Sequence, residues 1–164
     1  ARRLAEQIQQ GIKREPNSPA VSIGIGRPFD DILELRAGLE QAIKALEVGR
    51  VINGPGAVTD FDELGIYRLL VECADLQELT RFATDLLGRL TLHNRRGNGE
   101  LLRTLEVVLR CNGNLRLAAR ELFVHYNTLR YRVARIAEIT GMDLNSAEDR
   151  LNLQIALKIL RLIR

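Results

Sequence analysis

Residues 114–133 read Asn-Leu-Arg-Leu-Ala-Ala-Arg-Glu-Leu-Phe-Val-His-Tyr-Asn-Thr-Leu-Arg-Tyr-Arg-Val. The apolar positions recur at helical spacing on either side of a short interruption, so the stretch is two amphipathic helices joined by a tight turn. On a wheel at about 100° per residue, Leu129, Val133, Ile136 and Thr140 gather on one side of the second of these helices. They are expected to pack on Leu115, Ala118, Ala119 and Leu122 of the first. The two alanines are small where steeply crossing helices touch, and Phe123 with Val124 is expected to fill the turn. The opposite side of the second helix carries Asn127, Thr128, Arg130, Tyr131, Ala134 and Arg135. That is the composition of a helix-turn-helix whose second helix lies in the DNA major groove.

The residue types fit that chemistry. Arg can make two hydrogen bonds to guanine and Asn two to adenine, while Thr can touch a thymine methyl. The first residues of such a helix usually reach base edges. Tyr126, Asn127, Arg130 and Tyr131 are therefore the base-reading candidates. Asn114, Arg116, His125, Thr128 and Arg135 are candidates for phosphate contacts that position the helix. Purely structural roles compete for several of them. His125 can instead cap the helix, Asn127 and Thr128 can simply start it, and Tyr131 can pack. Arg132 sits beside the apolar side and is expected to pair with an acid such as Glu121 or Glu138.

Charge supports the same end of the chain. Residues 1–94 hold 11 basic and 14 acidic side chains, a net of −3, whereas residues 95–164 hold 13 and 7, a net of +6. Between Arg110 and Arg135 there are six Arg and one acid, Glu121. This is the electrostatic footprint of a polyanion partner, confined to the C-terminal part.

The rest of the chain organises around this segment. Ala1–Lys13 is an amphipathic helix with Leu4, Ile8 and Ile12 in line, broken by Pro16-Asn-Ser-Pro19. Residues 20–26 alternate as a strand in which Gly24 and Gly26 permit close backbone approach. Ile32–Val48 is a helix with Leu35, Leu39, Ala42, Ile43 and Leu46 on one side, ended by Gly49. Val51-Ile52 and Ala57-Val58 are extended pieces around the turn Asn53-Gly-Pro-Gly56. Helices over Leu64–Cys73 and Leu76–Leu87 follow, the second opened by Asp75 and Glu78. Arg95-Arg-Gly-Asn-Gly99 is a polar joint that divides a region 1–94 from a domain 97–164. Beyond it, helices are expected over Glu100–Arg110, Leu115–Leu122, Tyr126–Thr140 and Ala147–Ile163. Asn114 caps the second, Gly141 ends the third, and Ser146 with Asp149 forms a capping box on the fourth. The fold class is α+β, mostly α, with a partial α/β segment before an all-α domain.

At the same residues a family likeness emerges. Asn112-Gly-Asn-Leu, Ala118-Ala, Leu122-Phe-Val-His125, Asn127-Thr-Leu-Arg-Tyr-Arg132, Ile136 and Thr140-Gly-Met-Asp-Leu144 resemble the C-terminal DNA-binding domain of the PucR/CdaR family. These are bacterial transcriptional regulators of purine catabolism, sugar-diacid use and related pathways. The likeness covers about residues 97–164, including the final helix with Asp149-Arg150-Leu151. One departure is Tyr126, where the family usually has Arg, which removes a cation at the helix entrance. Upstream, residues 21–26, the helix to Leu46 and residues 51–70 resemble the end of the degenerate GGDEF-like domain that precedes this helix-turn-helix. The resemblance implies a sequence-specific, non-enzymatic, cytoplasmic transcriptional regulator of a catabolic pathway that binds double-stranded DNA as a homodimer. It also implies that the effector-sensing region is absent from this chain, which begins without Met and reads as a fragment.

Other signals carry less. Gly54-Pro-Gly56 lacks the Gly-Lys-Ser/Thr ending of a phosphate loop. Gly24-Ile-Gly26 lacks a third glycine. Asp30-Asp31 and Asp60 to Glu63 stand near helix starts, where negative charge suits the dipole. No Gly-Gly-Asp-Glu-Phe signature and no carboxylate pair of a cyclase are present, so the N-terminal part reads as a scaffold or pairing element. Cys73 and Cys111 are unpaired in spacing and read as buried apolar side chains in a reducing compartment. No metal, cofactor, membrane span or secretion signal is expected. A nucleotide-binding remnant in residues 1–94 and a protein-interaction module built on the same helices are the alternatives.

Overall fold

The structure, a computed structural model, describes residues 1–12, 19–73, 75–96 and 99–163. It divides into two compact units, Ala1–Ala74 and Asp75–Ile163. Among the described residues both strands lie in the first unit and every regular element of the second is a helix, so the chain is α+β and mostly α.

The first unit contains α1 (Arg2–Ile12), β1 (Ile23–Ile25), α2 (Leu35–Asn53), β2 (Val58–Asp60) and α3 (Ile66–Cys73). Short 3₁₀ turns over Ile32–Glu34 and Phe61–Leu64 precede α2 and α3. β1 and β2 pair in parallel, Ile23 opposite Val58 and Ile25 opposite Asp60. A parallel pair needs a crossover, and α2 supplies it.

The way α2 lies on these strands is set by small residues. A Cβ on Gly24 would fall 2.0 Å from the Ala42 carbonyl oxygen, and one on Gly26 would fall 2.2 Å from that of Gly38. A Cβ on Gly49 would meet the Thr59 hydroxyl at 2.1 Å. Gly38, Ala42, Ala45 and Gly49 recur at helical spacing, and backbone therefore rests almost directly on backbone. This corrects two expectations. The side of α2 bearing Leu35, Leu39 and Ile43 is exposed, because no large side chain fits between helix and strands. Nor does Gly49 end the helix: it is a contact glycine, Val51 and Ile52 stay helical, and the end comes at Gly54 with φ 85°. On α1 likewise Ala5 is buried while Leu4 and Ile8 are exposed. The unit's core is Ile25, Ala45, Val48, Phe61, Leu64 and Tyr67. Arg27 and Arg68 lie over the Phe61 ring at 5.4 and 5.7 Å, and both pair with Asp62. The expected break at Pro16–Pro19 falls mostly outside the described residues.

The second unit comprises α4 (Leu76–Arg96), α5 (Glu100–Arg110), α6 (Leu115–Glu121), α7 (Tyr126–Thr140) and α8 (Ala147–Leu162). α4 runs on past the expected end at Leu87. Leu87 and Leu90 are fully buried, and α4 packs on α5, α7 and α8. Burying that stripe favours continued helix across Gly88. By packing, residues 76–96 thus go with the C-terminal helices, whereas the composition break lies at 95–99; residues 97 and 98 are outside the described ones. The core adds Leu105, Val108, Leu129, Ile136, Leu153 and Ile159. Of the last helix's apolar residues, Leu153, Ala156, Leu157 and Ile159 are buried, Leu151 is exposed, and Ile155, Leu160 and Leu162, with Ile163 just beyond the helix, are half-buried.

The helix ends follow local rules. The Asn114 side chain accepts from the Leu117 N–H at 3.1 Å and the Ser146 hydroxyl from the Asp149 N–H at 3.3 Å. Asp149 does not complete the expected reciprocal box, since its carboxylate accepts from the Asp143 N–H at 2.7 Å. Gly141, at φ 71°, ends α7.

Gly24→Ala is expected to destabilise the first unit by about 1–3 kcal/mol, because the new methyl overlaps the α2 backbone. Gly11→Ala in α1, where a Cβ meets nothing within 4 Å, is expected to stabilise by up to about 1 kcal/mol. Urea unfolding followed by circular dichroism measures both.

Candidate nucleic-acid interface

α7 is anchored by its apolar side. Leu129 and Ile136 are fully buried, Val133 and Thr140 half-buried, and Ala118 and Ala119 of α6 are buried in the same core. Fixing that side fixes the other. Asn127, Thr128, Arg130, Tyr131 and Ala134 are all exposed, Tyr131 at 72%. Of the outward grouping expected from the wheel these five are exposed, whereas Arg135 is half-buried.

At its start, α7 is capped by His125, whose Nδ1 accepts from the Asn127 N–H at 3.2 Å. With Nδ1 engaged as acceptor, the neutral ring carries its proton on Nε2. His125 and Tyr126 are exposed. Asn114 and Arg116, both exposed, stand at the start of α6. The Asn114 oxygen is occupied by its cap, which leaves its amide N–H₂ group as the donor.

The cations separate into tied and untied groups. Arg135 pairs with Glu138 at 2.6 Å, which holds its guanidinium still more firmly charged. Arg132 does not pair with Glu121 or Glu138: its partner is Glu100 at 2.6 Å, with only 17% of the Arg132 side chain exposed. The reason is that Glu121 is held by Arg110 and Glu138 by Arg135, while the start of α5 lies beside α7. Arg116 and Arg130 have no acidic partner among the described residues. The same is true of Arg120, exposed one turn beyond Arg116 on α6 and absent from the candidates above. Its i, i+4 spacing from Arg116 was the available signal.

Phe123 does not fill the turn. It stands 94% exposed with φ 56°, while the half-buried Val124 packs on the core. The Val124 N–H donates to the Ala119 carbonyl and the Phe123 N–H to that of Arg120, at 3.0 and 3.2 Å. These two bonds form a Schellman closure of α6 with Phe123 at the left-handed position usually taken by glycine. An L-residue there costs about 1–2 kcal/mol.

Behind this surface, Cys111 is buried, and its thiol donates to Glu121 at 3.4 Å. Burial, then the Glu121 carboxylate, pushes the thiol up from its ordinary range. Arg110, then Cys111, holds the Glu121 carboxyl below the usual carboxylate range. The Cys73 side chain is outside the described ones. Among the described residues no group of three or more His, Cys, Asp or Glu is placed to hold a metal ion, and no helix is long and apolar enough to cross a membrane.

Residues 101–159 match the PucR C-terminal helix-turn-helix domain and residues 1–48 match the GGDEF-like domain. The chain is similar to the proline-responsive transcriptional activator PutR of Bacillus subtilis, 30% identical over 142 residues, which are 86% of this chain and 34% of PutR. It is 24% identical over 159 residues to the DNA-binding transcriptional activator AdeR of the same organism, covering 96% of this chain and 38% of AdeR. To the carbohydrate diacid regulator of Escherichia coli it is 47% identical over 62 residues, 38% of this chain and 16% of that regulator. The chain therefore spans little more than a third of the length of PutR and AdeR. The chain thus carries a GGDEF-like segment ahead of a PucR-type helix-turn-helix domain with α6 and α7 in its middle, and the relatives it resembles are transcriptional regulators.

Proposed function

We propose that this chain is the DNA-reading part of a transcriptional regulator of a catabolic pathway, with α7 lying in the major groove. The observation that carries this reading is the outward side of α7: Asn127, Thr128, Arg130 and Tyr131 exposed together on a helix whose other side is locked in the core. An untied guanidinium and an amide at the start of a rigid helix are the groups that read guanine and adenine edges. Tyr126, Asn127, Arg130 and Tyr131 read bases. Asn114, Arg116, His125 and Thr128 contact phosphate, with Arg120 added to that set. Arg135 joins them only when it leaves Glu138.

The relatives' names support a role in regulation rather than catalysis, and the N-terminal unit then serves as scaffold or pairing element. The active species is a homodimer in the cytoplasm. Its two α7 helices stand about one DNA turn apart, ~34 Å, over a two-fold operator. The DNA-reading domain, read from the sequence as residues 97–164, takes α4 with it, since Leu87 and Leu90 lie in its core, and the rest of residues 1–94 forms the other part. An effector acts through a segment outside this chain.

Fluorescence anisotropy with a duplex from the promoter of its own gene tests the reading. Affinity falls steeply as salt rises, because Arg contacts displace phosphate counterions. Arg130→Ala is expected to cost about 1–3 kcal/mol on the preferred site. Unchanged affinity would refute the placement of α7. Glu138→Gln releases Arg135, and tighter binding with a salt slope steeper by about 1 is expected; an unaltered slope would exclude Arg135 from the interface.

A further inference from the structure

Two turns of this domain close with the same backbone pattern and different residues. After α5, the Gly113 N–H donates to the Val108 carbonyl and the Asn112 N–H to that of Leu109, with Asn112 at φ 51°. Asn tolerates that conformation. After α6, the matching position holds Phe123. The fold makes no use of the ring, which is 94% exposed. A residue held in a sparsely populated conformation with its side chain wholly in water points outward, to something the ring meets.

Its surroundings say what that is. The chain has seven Phe and Tyr side chains and no Trp. Three of the seven, Phe123, Tyr126 and Tyr131, fall within nine residues at the start of α7 and are exposed. Arg116, Arg120 and Arg130, the cations of α6 and α7 that lack an acidic partner among the described residues, occupy the same two helices. An exposed ring in the turn between two helices that carry untied cations suits a partner that is polyanionic and also offers apolar groups. The major groove of DNA is such a surface, its apolar groups being the thymine C5-methyls.

We propose that Phe123 is a specificity-determining residue that packs its ring on a thymine C5-methyl at the edge of the sequence read by α7. This rests on the DNA reading above and extends it to the turn before the helix. Phe123 would then select A·T at one position without a hydrogen bond.

The test uses the full chain and a fluorescein-labelled duplex that the chain itself enriches from a random-sequence pool. The duplex is made twice, once with thymine and once with deoxyuridine throughout, which removes only the 5-methyl groups. The wild-type chain is expected to bind the uracil duplex at least about four-fold more weakly, the effect of one buried methyl. Phe123→Gly is expected to bind the thymine duplex about four-fold more weakly than wild type, to match wild type on the uracil duplex, and to keep the wild-type salt slope. It should unfold at the same or a higher temperature, since glycine relieves the left-handed position. Wild-type affinity of Phe123→Gly for the thymine duplex would overturn the proposal and leave the ring to a protein partner. An equal loss on both duplexes would also overturn it, since the ring would then touch sugar or phosphate. If the wild-type chain enriches no duplex, the DNA reading itself fails, and this one with it.

Discussion

The anchoring of α7 through Leu129 and Ile136 determines nearly everything else about the C-terminal unit. A helix has one rotational setting in which both residues are buried, and that setting presents Asn127, Arg130 and Tyr131 together. Replacing a fully buried leucine or isoleucine with alanine costs about 2–5 kcal/mol, so the setting is not easily lost. Ala118 and Ala119 matter because they leave room for α7 to seat against α6. The caps add smaller terms of about 1 kcal/mol each. The chemistry that α7 presents outward therefore depends on the residues buried beneath it.

The ion pairs around α7 decide which cations remain available. Six Arg fall between residues 110 and 135, yet Arg110, Arg132 and Arg135 are each held by a Glu. The exposed pairs of Arg110 and Arg135 contribute little stability, about 0–1 kcal/mol. Their effect is on the surface potential, which they concentrate on Arg116, Arg120 and Arg130. Counting charges along the sequence overstates the cationic surface; the pairing in space shows where it lies.

Legibility followed the size of the residues. The bounds of α5 and α7, the Asn114 cap and the Gly141 stop were readable because large apolar residues at helical spacing and cap residues act locally. The seating of α2 is not legible in the sequence because its contacts are made by residues with almost no side chain. A wheel weighted by hydrophobicity selects Leu35, Leu39 and Ile43, while the strands accept only Gly38, Ala42, Ala45 and Gly49. The length of α4 escaped because Gly88 and the polar residues after it conceal that Leu90 is buried. The partner of Arg132 escaped because Glu100 is 32 residues away, and sequence spacing shows only neighbours on one helix. Phe123 was assigned by its hydrophobicity, which cannot tell a ring held outward by a backbone closure from one tucked beneath it.

The path of α4 has a practical consequence for dissecting the protein. Its 21 residues make a rod of about 30 Å, and the buried Leu87 and Leu90 form one wall of the interior that supports α7. A truncation made at the glycines near residue 97, where composition invites the cut, would strip that wall away from the core that also holds Leu153 and Ile136. An excision that keeps the helix whole has to start no later than Asp75, whose carboxylate accepts from the Gln77 N–H and opens the first turn.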